Sequence, residues 1–145
     1  MRVSVLNGPN LNLLGQREPS VYGTTTFSEL EAMVRAEADT LGVALSWYQS
    51  NHEGMLVDLI QELPRTADAL ILNAGALTHT SLAIRDALLA VQMPFVEVHL
   101  SNPHARDPVR HRSMTADLAV GVVMGLGPAG YRLALQGLHE RFRAS

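Results

Sequence analysis

At 145 residues and 15.7 kDa, the chain is long enough for one domain, spanning 1–145, and short for two. Hydrophobic residues make up 47% and charged residues only 17%, below the roughly 25% common in soluble domains, which excludes a disordered tail and points to surface hidden against other subunits. A net charge of −3, with no basic run interleaved with aromatics, argues against nucleic acid as a partner.

Short apolar runs alternate with helical patterns five times. Arg2–Asn7 reads as a first strand, followed by a long polar loop. Thr26 then opens a helix with Glu29 three residues on, the spacing of a capping box. Phe27, Leu30, Val34, Ala38 and Leu41 recur at helical intervals, and Gly42 closes the segment. Val43–Gln49 is a second strand. Ser50 with Glu53 is expected to cap a helix carrying Leu56, Leu59, Ile60 and Leu63 and ending before Pro64. Ala69–Asn73 is a third, very apolar strand, and the next helix is expected to open near Thr78 and run to about Val91. Phe95–Leu100 and Ala119–Met124 are the fourth and fifth strands. A last helix from Pro128 carries Tyr131, Leu135, Leu138 and Phe142 on one stripe.

Apolar strands alternating with amphipathic helices specify an α/β protein whose parallel sheet is covered on both faces. Five strands in this length fit a flavodoxin-like three-layer sandwich of order 2-1-3-4-5. Ligands in such folds bind beyond the carboxyl ends of the strands, where strands 1 and 3 diverge. The residues at those ends are unusual for their polarity. Strand 1 leads into Asn7-Gly8-Pro9-Asn10-Leu11-Asn12 and then Arg17 and Tyr22. Strand 3 ends at Asn73, with His79 at the start of the following helix, and strand 4 ends in Glu97-Val98-His99-Leu100-Ser101-Asn102 with Arg110 beyond.

Glu97 and His99 are two apart on a strand, so their side chains leave the same face as neighbours. A carboxylate beside an imidazole fixes the ring and favours its charged form, as a general acid requires; a structural core pair would look the same. Arg17 and Tyr22 share a loop of roughly eighteen residues, far beyond the usual 2–6 of a βα connection, and such loops are commonly lids. A guanidinium beside a phenol favours the phenolate, so Tyr22 could serve as a base, or could simply plug the loop onto the sheet. Asn10, Asn12 and Asn73 could hold water or hydroxyl groups, or make turns.

Several chemistries are excluded by residues that are missing. All eleven basic residues are arginine, so there is no Schiff-base amine, pyridoxal anchor or P-loop lysine. The absence of cysteine removes thiolate nucleophiles, disulfides and iron–sulfur clusters. His79 and His99 lack the spacing and carboxylates of a metal site. The amino-terminal apolar run is too short for a signal peptide and no later run approaches a membrane span, so a cytoplasmic location is expected. Gly125-Leu126-Gly127-Pro128-Ala129-Gly130 matches the dinucleotide fingerprint, but it follows the last strand and no acidic strand end comes after it. Tight strand-to-helix turning is the better account.

Taken together, these residues make the chain closely resemble the type II 3-dehydroquinate dehydratases nearly end to end. The likeness is carried by Gly8–Gly15, by Arg17-Glu18-Pro19 with Tyr22-Gly23, and by Gln49-Ser50-Asn51-His52-Glu53-Gly54. Thr78-His79-Thr80-Ser81, Arg85-Asp86-Ala87-Leu88 and Glu97–Asn102 complete it. The resemblance implies a flavodoxin-like fold, no cofactor or metal, and a homo-oligomer, a dodecamer of four trimers. It implies reversible anti dehydration of 3-dehydroquinate to 3-dehydroshikimate through an enolate. By the same resemblance Tyr22 is the base, Arg17 keeps it a phenolate, His99 protonates the departing hydroxyl, and Glu97 orients His99. Asn12 would position a water, Asn73, His79 and Arg110 would bind substrate hydroxyls, and Leu100 with Ser101 would take the carboxylate. Asp86 is expected to reach the site of an adjacent subunit.

Ala74, Leu77 and Met114 depart from the family's usual pattern, at positions that carry no mechanistic group. The competing reading is a flavodoxin-like binding module for FMN or a phospho-receiver. A receiver needs an acidic cluster after strand 1 and a lysine after strand 5, and an FMN site needs a hydroxyl-rich loop where Gly8-Pro9-Asn10 stands.

Overall fold

Five strands, β1 (Arg2–Asn7), β2 (Ala44–Gln49), β3 (Ala69–Asn73), β4 (Phe95–His99) and β5 (Gly121–Met124), form one parallel sheet of order β2-β1-β3-β4-β5. The expected order is therefore present. The computed structural model describes residues 1–16 and 18–145, and the side chain of Tyr22 also lies outside the described residues. Helices α1 (Pro19–Tyr22), α2 (Phe27–Leu41), α3 (Glu53–Thr66), α4 (Leu82–Val91) and α5 (Ala129–Arg143) complete the regular structure.

Strand alternation divides the interior in two. Val3 and Val5 of β1, Ala69 and Ile71 of β3, and Val96 and Val98 of β4 pack with Leu30 and Val34 of α2 and with Tyr131 and Leu135 of α5. Leu6, Leu70, Leu72 and Phe95 face the other way, onto Leu56 and Ile60 of α3 and Ile84 and Leu88 of α4. Most of these side chains are fully buried. Each such leucine or isoleucine contributes about 2 kcal/mol of transfer free energy. Glu97 and His99 lie in register with Phe95, so β4 ends with a polar pair on its α3–α4 face.

The helix boundaries differ from the sequence reading where local hydrogen bonds decide. Val43 is not the first residue of β2, because its N–H closes α2 by donating to the Ala38 carbonyl (2.8 Å). At the other end of α2 the Thr26 hydroxyl oxygen accepts from the Glu29 N–H (3.1 Å), as the capping pattern requires. Ser50 does not cap α3; its Oγ accepts from the His52 N–H (3.0 Å), and His52 takes the cap position. Pro64 does not end α3 either. It sits in the last turn, where only one intrahelical bond is lost, and the helix continues to Thr66.

The helix expected from Thr78 begins instead at Leu82, with the Ser81 hydroxyl oxygen accepting from the Ile84 N–H (2.9 Å). Residues Gly75–His79 form a separate 3₁₀ turn. Leu100 lies just past β4, and Ala119 and Val120 precede β5. Phe142 leaves the apolar stripe of α5 and is 36% exposed. Gly125 and Gly127 adopt positive φ (85° and 62°), and their N–H groups donate to the carbonyls of His99 (3.2 Å) and Leu100 (3.0 Å). The glycine-rich segment is thus a turn that pins the end of β4.

Gly8 is the tightest backbone approach at the carboxyl edge. A Cβ there would stand 2.3 Å from the Ala74 carbonyl oxygen. Gly54, on α3, has nothing within 4 Å of the same position. Chemical denaturation should therefore show Gly8→Ala destabilised by about 3 kcal/mol and Gly54→Ala stabilised by about 0.5 kcal/mol.

Candidate active site

The carboxyl ends of β1, β3 and β4 meet at the point where the chain turns from one half of the sheet to the other. Asn7 of β1 is in register with Asn73 of β3, and Leu72 with Glu97 of β4. A cleft opens above these ends. Its polar lining is Asn10, Asn73, His79, His99, Ser101, Arg106 and Arg110, and its apolar lining includes Pro9, Leu11, Leu14, Leu100 and Pro103. Of the residues expected at the site, Asn73, His79, His99, Leu100, Ser101 and Arg110 line this one cleft.

His99 is buried and its Nε2 lies 2.8 Å from Glu97 Oε2. An ionised carboxylate only accepts, so Nε2 carries the proton of this bond. Nδ1 is then the ring position left to exchange a proton. Burial pushes the Glu97 carboxyl up. The hydrogen bonds from His99 and Thr115, the His99 charge and the Ser113 hydroxyl together outweigh it and hold the group below its ordinary value. Glu97 itself does not line the cleft. It stands behind the imidazole.

His79 belongs to the 3₁₀ turn rather than to α4. Its Nδ1 lies 2.8 Å from the Arg112 carbonyl, which can only accept, so this nitrogen donates and Nε2 is left toward the cleft. The two imidazoles are stacked, with centroids 6.3 Å apart and planes 19° from parallel. Arg110 donates from Nε to Asp107 Oδ1 (2.9 Å) and still faces the cleft. These groups can bind a small anion rich in hydroxyls and deliver a proton to it.

Asn73 is held from both ends of its amide. Nδ2 donates to the Tyr131 hydroxyl (2.9 Å), and Oδ1 accepts from the Gly75 N–H (3.2 Å). The Tyr131 hydroxyl in turn donates to Asn7 Oδ1 (2.7 Å), and Asn7 Nδ2 donates to the Tyr48 carbonyl (3.0 Å). Burial pushes the Tyr131 phenol well above its ordinary value, so it is a neutral hydrogen-bonding hub.

Asn12 does not line the cleft. It is exposed and accepts a long hydrogen bond from Gln49 Nε2 (3.4 Å). Asp86 is exposed on α4, also away from the cleft of its own chain. Arg17 and the Tyr22 side chain lie outside the described residues. The sequence reading passed over Arg106, which lines the cleft, donates to Ser101 Oγ (3.5 Å) and pairs with Glu18 (3.7 Å). The usable signal was a second guanidinium in the loop that carries Arg110. In sequence Tyr131 reads only as core, and nothing in its spacing reveals the hydroxyl's task. Among the described residues, no group of three or more His, Cys, Asp or Glu side chains is arranged to hold a metal ion. No described helix is long and apolar enough to cross a membrane.

Fold and cleft together define a flavodoxin-like α/β protein with a carboxylate-backed histidine and cationic groups at its topological switch point. Residues 1–139 match the family model for dehydroquinase class II. A 3-dehydroquinate dehydratase of Parasynechococcus marenigrum is 55% identical over 99% of this chain and 98% of its own. A catabolic 3-dehydroquinase of Aspergillus clavatus is 52% identical over 97% and 94%. The crystal structure of a type II dehydroquinase from Butyrivibrio crossotus superposes with a TM-score of 0.93 at 41% identity, covering 95% of this chain and 97% of that one. The chain belongs to the class II dehydroquinase family, whose members are hydro-lyases.

Removing the hub hydroxyl should loosen this network without opening a cavity. Tyr131→Phe keeps the ring against Trp47 (centroids 5.8 Å apart) but strands Asn7 and Asn73. Denaturant unfolding is expected to show a loss of about 1–3 kcal/mol, the cost of buried polar groups without partners.

Proposed function

We propose that this protein catalyses the reversible anti dehydration of 3-dehydroquinate to 3-dehydroshikimate through an enolate, a step of the shikimate pathway. The observation that carries the reading is His99, hydrogen-bonded to Glu97 and opening onto a cleft that also holds Arg110, Ser101 and His79. Family membership supports the same substrate. So does the absence of lysine, which removes the imine route to a carbanion.

In this mechanism the Tyr22 phenolate removes the proton alpha to the ketone, and Arg17 keeps the phenol ionised and stabilises charge as it develops. The C–H electron pair passes into the enolate. Its collapse forms the carbon–carbon double bond and expels the hydroxyl, which leaves as water after taking a proton from His99 Nδ1. Tyr22 and His99 then return to their starting states by exchanging protons with solvent. Fixed donors in a cleft of low water content supply much of the rate. Asn73, His79 and Arg110 hold substrate hydroxyls, and Leu100 with Ser101 receives the carboxylate; the water-positioning role of Asn12 requires its side chain to turn from Gln49 toward the cleft. No cofactor or metal takes part.

The proposal extends to assembly. The chain, one catalytic domain over 1–145, forms a cytoplasmic dodecamer of four trimers in which Asp86 reaches a neighbouring cleft. Exposed Leu82 (61%) and Leu89 (48%) on the same helix as Asp86 support subunit contact there. An FMN or receiver module is not favoured by any group in the cleft.

The test is conversion of 3-dehydroquinate by the purified protein, followed by the ultraviolet absorbance of the conjugated enone. Tyr22→Phe and Arg17→Ala should each lower turnover by about a thousandfold while substrate still binds. His99→Ala should keep exchange of the alpha proton with solvent and lose dehydration. Near-normal turnover in the first two variants, or loss of exchange together with dehydration in the third, contradicts these roles.

A further inference from the structure

One short segment, Arg112 to Ala116, touches the supports of both imidazoles in the cleft while contributing no lining to the cleft itself. The Arg112 carbonyl accepts from His79 Nδ1 (2.8 Å). One residue on, Ser113 Oγ donates to Glu97 Oε1 (2.9 Å), and the Thr115 hydroxyl donates to that same oxygen. The other Glu97 oxygen, Oε2, meets His99. The hydrogen bonds of this segment thus reach His99 through Glu97.

The direction of these hydrogen bonds follows from counting lone pairs and protons. Ser113 Oγ accepts from the Thr115 N–H (3.1 Å) and the Ala116 N–H (3.0 Å). Both of its lone pairs are thereby occupied, so its proton is left for Glu97. Thr115 Oγ1 lies 3.4 Å from that saturated oxygen, and its own proton also goes to Glu97. Two hydroxyl donors thus converge on one carboxylate oxygen and, among the described residues, none competes on the other. The carboxylate plane is set by this pair, and with it the direction in which Oε2 points at the imidazole.

The segment is tied down independently of Glu97. The Met114 N–H donates to the Thr78 carbonyl (2.8 Å), beside His79. Arg85 of α4 donates from Nη1 to the Met114 carbonyl (2.9 Å) and holds Asp117 with both terminal nitrogens (2.6 and 3.0 Å). Thr115 is 1% exposed. This anchoring is out of proportion to a solvent loop, and it converges on the two histidines.

We propose that Arg112–Thr115 is a positioning clamp for the two imidazoles, in which the Ser113 and Thr115 hydroxyls aim His99 through Glu97 while the Arg112 carbonyl sets the proton position of His79. The inference rests on the proposed dehydration, because it assigns His99 a proton to deliver. Ser113 and Thr115 are positioning residues, since neither reaches the cleft. Their loss should disturb only the step in which His99 protonates the leaving hydroxyl.

Thr115→Val, which keeps the shape, and Ser113→Ala are the variants to make, with Thr115→Ser as the conservative rescue. For each, dehydration is compared with exchange of the alpha proton in deuterated buffer. Thr115→Val should lower dehydration by about tenfold and leave exchange within about twofold, with Thr115→Ser close to the parent. A general loss of folded protein lowers both rates together and leaves their ratio unchanged, and that outcome overturns the clamp. A second readout does not depend on activity. In protein carrying isotope-labelled histidine, the Nε2 proton of His99 should give a downfield resonance that moves upfield in Thr115→Val. A resonance that does not move overturns the inference. A parent protein that makes no enone faults the functional reading instead.

Discussion

A charge inside a protein survives only if the groups around it replace the water it has lost. Glu97 is 1% exposed near the end of a strand whose earlier residues are apolar core, and burial by itself pushes its carboxyl up, toward the protonated form. Three donors reverse that outcome: the His99 ring nitrogen on one carboxylate oxygen, and the Ser113 and Thr115 hydroxyls on the other. The requirement shapes the surrounding chain. The loop after β4 must come back past the sheet edge to bring its hydroxyls in, and the start of α4 must hold that loop through Arg85.

The same economy governs the other strand ends. A parallel sheet presents its last carbonyls and side chains to the crevice, where helices no longer cover them. Here Asn7 and Asn73, paired across β1 and β3, are satisfied by one tyrosine hydroxyl from α5. The polar floor of the cleft is therefore built from three distant parts of the chain, and it meets the apolar core without leaving these amides unpaired. Rigidity there serves recognition, because a small hydroxylated anion is selected by donors that do not move.

Much of the architecture was legible because periodicity reports burial directly. Short apolar runs such as Ala69–Leu72, bounded by helical patterns, read as strands covered on both faces, and the fivefold alternation leaves few topologies. The Glu97–His99 pair was legible for the same reason, since residues two apart on a strand share a face. What stayed hidden depends on contacts distant in sequence. Ser113 and Thr115 act on a carboxylate 16 and 18 residues before them, and hydroxyl residues carry no pattern that announces such a partner. α4 starts later than Thr78 suggests, because Thr78 falls inside the 3₁₀ turn Gly75–His79 and the capping hydroxyl comes from Ser81. Asn12, singled out for its place after β1, turns toward Gln49 instead of the cleft.

The direct test of an ionised Glu97 is its own titration in the folded protein, followed by the carboxylate signal in isotope-edited infrared spectra. The native carboxyl is held below its ordinary value, so its contribution to stability is complete above the unfolded-state value and is lost as pH falls through the folded one. The account requires a carboxylate band that persists to below the usual glutamate range, with a higher midpoint when Thr115 is replaced by valine. A band that gives way to the protonated acid at or above the usual glutamate range would contradict it.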